Sequence, residues 1–388
     1  MKTVKFTIVI LLIFTFFVLV LVFGVRRMGR TYLDIHDAGK NEVEEIFDTL
    51  PFDDRIKNAH FEYLRLTHRG HYNGVTILND DRLMLDELEY TLFLHERVNA
   101  IVMLNDFVEQ NGAQFLYVRI PSKLEDNSLL PLAFSDNSII EDTTRLKELI
   151  AGSGVDVLDL RAEMKKDGVD FTSAFFRGDH HWTVDTALWA FGKIGEFANN
   201  VYGFNVNEMT WDPSQFKHIV YEDNFLGEES VAINALDNIE DIKVLVPKFH
   251  TDFVITDLRG YNYMQILDAG DFANVFVPYV NHEHVGRLVF GDSNRWFSGL
   301  TRYENVAATE NKRVLLIADS MGIPLSSYFA NAFTVVDKHY LESRANHRIW
   351  YAIENYGYDL VVYAVSDVVV TNEKIDEWHL DRLFLGHP

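Results

Sequence analysis

The spacing of apolar positions changes period along this chain, and the changes mark out its elements. The opening is apolar throughout, with no charge in residues 6–25. At about 1.5 Å per residue that run spans roughly 30 Å, the hydrocarbon thickness of a bilayer, and predicts a transmembrane helix. A buried core helix seldom runs so long without a polar face. A cleaved signal peptide needs a shorter apolar core and a small-residue exit, whereas the exit here reads Val22-Phe23-Gly24-Val25-Arg26. The expectation is an uncleaved anchor over 1–30. Residues 31–60 turn polar and acidic, with scattered Val43, Ile46, Phe47 and Leu50, and read as a juxtamembrane stalk.

The remainder, 61–388, reads as one α/β domain. His71-Tyr72-Asn73-Gly74 before Val75-Thr76-Ile77-Leu78 is a hairpin signal, followed by a turn at Asn79-Asp80-Asp81. Residues 90–111 carry a helical stripe of Leu92, Val98, Ile101, Val102 and Phe107, with Gly112 as the stop. A strand follows over 115–120, ended by Pro121. The rhythm then repeats, with helices expected over 144–150, 183–199 and 346–356 and from about 321 to 331. Strands are expected over 155–160, 314–318, 333–336 and 360–364. Thr183 is a good N-cap, with Asp185 in the first turn. Short apolar strands alternating with helices predict a parallel sheet covered on both faces. Residues 201–310 are less regular and read as an insertion.

Composition narrows the function classes. The chain has 388 residues, 48% of them apolar, enough to bury a sizeable core. The net charge is −23, yet the first 30 residues hold Lys2, Lys5, Arg26, Arg27 and Arg30 and no acid, so the body is more acidic still. Such a body repels phosphate backbones, and no nucleic-acid partner is expected. Without cysteine there is no disulfide, thiolate metal site or Cys nucleophile.

Two segments carry chemistry. In Val314-Leu315-Leu316-Ile317-Ala318-Asp319-Ser320-Met321-Gly322 a buried strand ends in Asp-Ser before a helix. Backbone N–H groups gathered there suit an alkoxide and an oxyanion. In open parallel sheets, sites lie beyond the carboxyl ends of strands. Read by itself, Ser320 is also a simple cap. A second Asp-Ser, Asp292-Ser293, has a shorter apolar lead-in and no clear helix after it. The other segment is Gly178-Asp179-His180-His181-Trp182-Thr183, a tight loop before a helix. A hydrolytic triad needs a histidine to take the serine proton and a carboxylate to orient it, and Asp and His two residues apart meet if the loop curls. The plainer alternative is a pair of satisfied histidines at a helix start. Zinc is a further alternative, on Asp179 with His180-His181 or on His282-x-His284, but His-Glu-x-x-His and cysteine are lacking. No metal or cofactor is expected. Arg119 and Lys123, flanking Pro121, are weak candidates to face substrate, a solvated loop being the plainer reading.

The Asp179-His180-His181-Trp182-Thr183 run resembles the signature of the bacterial DHHW protein family, which is related to the SGNH hydrolase-like domain of the alginate O-acetylation proteins. Further segments resemble the family in order over roughly 70–370. They are Val118-Arg119-Ile120-Pro121-Ser122-Lys123, Phe225-Leu226-Gly227, residues 237–247, Phe290-Gly291-Asp292, residues 314–322 and Val335-Val336-Asp337-Lys338-His339-Tyr340. The sequence departs from the family pattern at Ala318, Met321-Gly322 and Lys338. The resemblance implies a three-layer α/β/α SGNH hydrolase-like fold with a parallel central sheet. It implies Ser320 as nucleophile, His181 as general base and Asp179 as its orienting carboxylate, with His180 and Trp182 shaping the loop, and it demotes Ser293. It also implies an anchored protein of the cell membrane with its body outside the cytoplasm. The expected activity is O-acylation of a cell-surface polysaccharide, as an O-acetyltransferase, and several related proteins act with a membrane-bound O-acyltransferase. A carbohydrate esterase with the same triad and a silent glycan-binding scaffold are the alternatives.

Overall fold

Strands with continuous apolar runs such as Val314-Leu315-Leu316-Ile317 and Leu360-Val361-Val362 need cover on two faces, and in the computed structural model they receive it. The structure describes residues 70–370, apart from 86–93, 132–137, 234, 236–237, 261–262, 277–299, 342–347 and 368–369. The apolar run 6–25 and the stalk 31–60 lie outside the described residues. Among those described, no helix is long and apolar enough to cross a membrane.

The strands in chain order are β1 (His71–Tyr72), β2 (Val75–Ile77), β3 (Leu83–Leu85), β4 (Gln114–Ile120) and β5 (Val157–Asp159). Then come β6 (Phe216–Phe225), β7 (Glu240–Pro247), β8 (Phe253–Gly260), β9 (Tyr263–Gly270), β10 (Leu300–Asn305), β11 (Glu310–Ala318), β12 (Phe333–Tyr340) and β13 (Leu360–Ser366). The main sheet has the order β5-β4-β13-β11-β12-β10-β8-β9. Neighbours from β5 to β12 are parallel, while β10, β8 and β9 add antiparallel strands at the far edge. The sheet is therefore mixed, where the pattern of strands and helices predicted a parallel one. Residues 201–310 are the reason: they supply β8, β9 and β10, which mix polar with apolar residues and lack the continuous apolar run of the central parallel strands.

The period of two sorts the central side chains onto two faces. Leu116, Val118, Val314, Leu316, Val362 and Ala364 point to one side with the helices Val184–Tyr202 and Ile323–Ala332. Phe115, Tyr117, Leu315, Ile317, Val361 and Tyr363 point to the other, with the helices Leu94–Gln110, Ile139–Gly152 and Arg348–Tyr356. Burying each such side chain contributes roughly 1.5–3 kcal/mol. The hairpin β1–β2 turns at Asn73 and Gly74, both with positive φ (50° and 73°), the backbone that an Asn-Gly hairpin requires. Thr183 caps its helix, accepting from Thr186 N at 3.4 Å.

The connections fix where a site can lie. The chain leaves β4 for β5 on one side and leaves β11 for β12 on the other, with β13 between β4 and β11. The carboxyl ends of these strands thus flank a point where the winding reverses. Ser320 follows β11 after a single residue, Asp319.

One buried ion pair ties the antiparallel edge to the parallel core. Arg302 on β10 donates from Nε and Nη2 to Asp337 on β12, both at 2.7 Å, and Tyr358 Oη donates to the same carboxylate at 2.6 Å. Removing one partner strands the other's charge in the core. Arg302→Met is expected to cost about 3–5 kcal/mol of unfolding free energy, read as a lower urea midpoint at unchanged slope.

Candidate active site

The segment 174–183 closes on itself before its side chains do any chemistry. Phe175 and Trp182 form an antiparallel bridge, Phe176 N donates to His181 O at 3.1 Å, and Thr183 N donates to Ala174 O at 2.9 Å. The residues between are squeezed into a tight loop whose backbone groups find partners outside it. Arg177 N and Gly178 N donate to the Glu240 carboxylate on β7 at 2.8 and 2.9 Å. Gly178 O accepts from Ser230 N at 3.0 Å, and Arg177 O from Leu83 N at 2.9 Å. Lys123 Nζ donates to Phe176 O at 2.8 Å, to Arg177 O at 3.3 Å and to Leu83 O.

Lys123 and Arg119 are both buried, and neither stands in a solvated loop. Lys123 is 1% exposed, and burial pushes its ammonium down to about 8, opposed by the charges of Glu229 and Asp179. Arg119 lies behind the site, donating to both oxygens of Asp367 at 2.8 and 3.0 Å and to Thr143 Oγ1 at 2.6 Å. A long cation next to a strand end is legible in sequence; which way it turns depends on the carbonyls that the fold brings to it.

Asp179 and His181 meet as the loop's curl predicts. Asp179 Oδ1 accepts from His181 N at 2.9 Å and from His181 Nδ1 at 2.6 Å. Its other oxygen, Oδ2, accepts from Glu228 N at 3.0 Å. The carboxylate is 2% exposed. Burial works to raise its pKa, but the charge and hydrogen bond of His181, with His180 and Glu228 N, hold it well below the ordinary carboxylate range. With Nδ1–H given to Asp179, the neutral ring carries its lone pair on Nε2, the tautomer a general base needs.

Ser320 opens a 3₁₀ turn, Ser320–Gly322, at the carboxyl end of β11, and is half-buried. The preceding Asp319 is fully buried. It accepts from Ser366 N at 2.8 Å, from Ser366 Oγ at 2.6 Å and from Gly322 N at 3.3 Å. This pins the serine turn to the end of β13. Burial raises the Asp319 carboxyl, while Ser366, Gly322 and the charge of His181 lower it, so the electrostatic reach of His181 extends to the residue beside Ser320. A Cβ at position 322 would collide with Cβ of Ala318, so Ala318 and Gly322, both departures from the family pattern, suit each other.

Several contributors carry no signal of their own in sequence. Glu229 joins His180, Nδ1 to Oε1 at 2.7 Å, and Glu240 and Ser366 act only because the fold folds back on the loop. Ser293, His282 and His284 lie outside the described residues. Asp179, His180 and His181 bring potential ligand atoms within 4.8 Å of one another. Both Nδ1 atoms are already committed to carboxylates and both Asp179 oxygens to hydrogen bonds. The cluster is thus hydrogen-bonded through both Nδ1 atoms and both Asp179 oxygens.

Two glycines make this closeness possible. A Cβ on Gly227 would strike Gly178 O and Cβ of Asp179, and one on Gly178 would strike Ser230 Oγ. Gly227→Ala must push the two loops apart and lengthen the Glu228 N to Asp179 bond. It is expected to lower stability by about 1–3 kcal/mol and to reduce kcat more than the thermal shift alone explains, checked by thermal unfolding alongside ester turnover.

Residues 85–210 match the family model described as an SGNH hydrolase-like domain, acetyltransferase AlgX. That span holds Lys123, Asp179 and His181 and stops before Glu229 and Ser320. Among solved structures, Bacillus cereus PatB1 with a sulfonyl adduct superposes with a TM-score of 0.61 at 17% identity, over 76% of this chain and 95% of that one. A DHHW family protein from Eubacterium siraeum superposes with a TM-score of 0.52 at 17% identity, over 80% of this chain and 96% of that one. At such identity the likeness is one of fold. No curated protein matches in sequence. The chain resembles the DHHW proteins and, over residues 85–210, the SGNH hydrolase-like domain of the acetyltransferase AlgX.

Proposed function

We propose that this protein is a serine-dependent O-acyltransferase, most simply an O-acetyltransferase, that acts on a cell-surface polysaccharide. The observation that carries the reading is the buried Asp179–His181 pair, hydrogen-bonded at 2.6 Å. It sits in a fold whose central strand β11 runs out into Asp319-Ser320. The match of residues 85–210 to an acetyltransferase family supports the reaction class.

In this mechanism His181 Nε2 takes the hydroxyl proton of Ser320, and the serine oxygen attacks the acyl carbonyl of a donor. Asp179 stabilises the imidazolium that forms. Backbone N–H groups around Ser320 receive the oxyanion. The tetrahedral intermediate collapses as the C–O bond to the donor breaks, and His181 returns its proton to the departing oxygen. A sugar hydroxyl, deprotonated by the same histidine, then attacks the acyl-serine and regenerates the enzyme. The proposal includes an anchor in residues 6–25 with the body outside the cytoplasm, where the acceptor glycan lies, and a membrane-bound O-acyltransferase as a partner that supplies acyl groups. Lys123 and Arg119, spent on carbonyls and Asp367, take no part in binding substrate.

Ser320→Ala is expected to lower acetyl release from a chromogenic acetyl ester about 1,000-fold or more. The thermal midpoint should stay close to that of the wild type. Turnover that survives the substitution overturns the assignment. Adding an acceptor polysaccharide separates transferase from esterase: a transferase labels the glycan with acetyl, and an esterase releases acetate alone.

A further inference from the structure

The mechanism uses Asp179 and His181 and leaves a second buried carboxylate–imidazole pair beside them idle. His180 Nδ1 lies 2.7 Å from Glu229 Oε1, and Glu229 is 1% exposed. The His180 ring packs against the His181 ring, with centroids 3.9 Å apart and planes tilted by 36°. Neither member would be ionised alone at this depth. Paired, they form a hydrogen-bonded salt bridge. Burial pulls the His180 ring down, but the hydrogen bond and charge of Glu229, with Asp179 and Glu228, outweigh it and carry the ring up to about 9.

The hydrogen bond to Asp179 does not by itself fix the plane of the His181 ring. It fixes Nδ1 but allows the ring to rock about the Nδ1–Oδ1 line, which swings Nε2. A neighbouring ring packed against its face removes that freedom, provided the neighbour is itself held. Glu229 holds it, because the short helix Glu228–Ala232 is tied to the same loop by Glu228 N to Asp179 and Ser230 N to Gly178 O. We propose that His180 and Glu229 are a positioning dyad for His181, a second carboxylate–imidazolium pair packed against the catalytic one that fixes the plane of the base. The inference rests on the reading of His181 as general base.

The charge of His180 is what binds it to Glu229. When the ring loses its Nε2 proton, Nδ1–H still donates to Glu229 but the ionic part of the bond goes, so the positioning is firm below about pH 9 and loosened above it. The charged groups facing His180 are Glu229 and Glu228 from the short helix and Asp179 and His181 from its own loop. Lys123 from the end of β4 and Glu240 from β7 add one charge of each sign around the same cluster.

The experiment is a pH–rate profile of the full-length protein on a chromogenic acetyl ester, with circular dichroism at each pH to confirm an intact fold. For the wild type, kcat is expected to fall on the alkaline side near pH 9 with KM unchanged. Glu229→Gln keeps the shape and a hydrogen-bonding atom but removes the charge. It should move that limb down by about 1–2 pH units, lowering kcat at pH 8 about ten-fold with KM within about two-fold. A Glu229→Gln profile that superimposes on the wild type overturns the proposal. If that variant fails to fold, the wild type decides: a kcat flat from pH 8 to about 10 overturns it. Ser320→Ala run in parallel separates the two ideas. Activity that survives it overturns the serine reading and this inference together, whereas its loss beside an unmoved limb overturns the positioning dyad alone.

Discussion

A carboxylate buried beside a histidine must have its lone pairs answered, and in this fold that demand at Asp179 organises the loop around it. One oxygen takes two bonds from His181 and the other takes the amide of Glu228. That last bond obliges the Glu228–Ala232 helix to touch the loop, which is possible only because positions 178 and 227 lack side chains. The contact then brings Glu229 to His180. The loop's own amides go to Glu240, and its carbonyls to Lys123, Leu83 and Ser230. Elements far apart in the chain are thus conscripted to keep one anion paired.

The same logic explains the concentration of buried charge in an otherwise apolar body. Arg302 with Asp337 joins paired strands of the main sheet, Arg119 with Asp367 joins neighbouring strand ends, and Lys123 gathers three carbonyls of the loop and of β3. Such pairs add little net stability over apolar packing, but breaking one is costly, so they specify a single arrangement of strand ends. Asp319 does similar service by linking the serine turn to Ser366 at the end of β13.

Much of the fold was legible because its signals are local. The Asn73-Gly74 turn, the Thr183 cap, the stop at Gly112 and the two-sided apolar strands each act through neighbours in sequence. The expected helices and strands over 90–199 and 314–364 appear within a few residues of their anticipated ends. The mixed character of the sheet was not legible. β8, β9 and β10 mix polar with apolar residues and add antiparallel at one edge, and the pairing of β10 with β8 and β12 is set by partners distant in sequence.

The sequence by itself determined the ingredients of the site. Asp179 and His181 stand two apart in a loop tight enough to join them, and Asp319-Ser320 ends a buried strand. Those relations hold because a few covalent bonds limit where the groups can go. Only the tertiary structure decided what surrounds them: that Lys123 and Arg119 turn inward, that Gly227 is there for close approach, and that Glu229 and Glu240 clasp the loop. Each of those roles depends on a contact across tens of residues or more. No local rule fixes such a contact, because burial of the charges themselves, once the chain has folded, selects the partners.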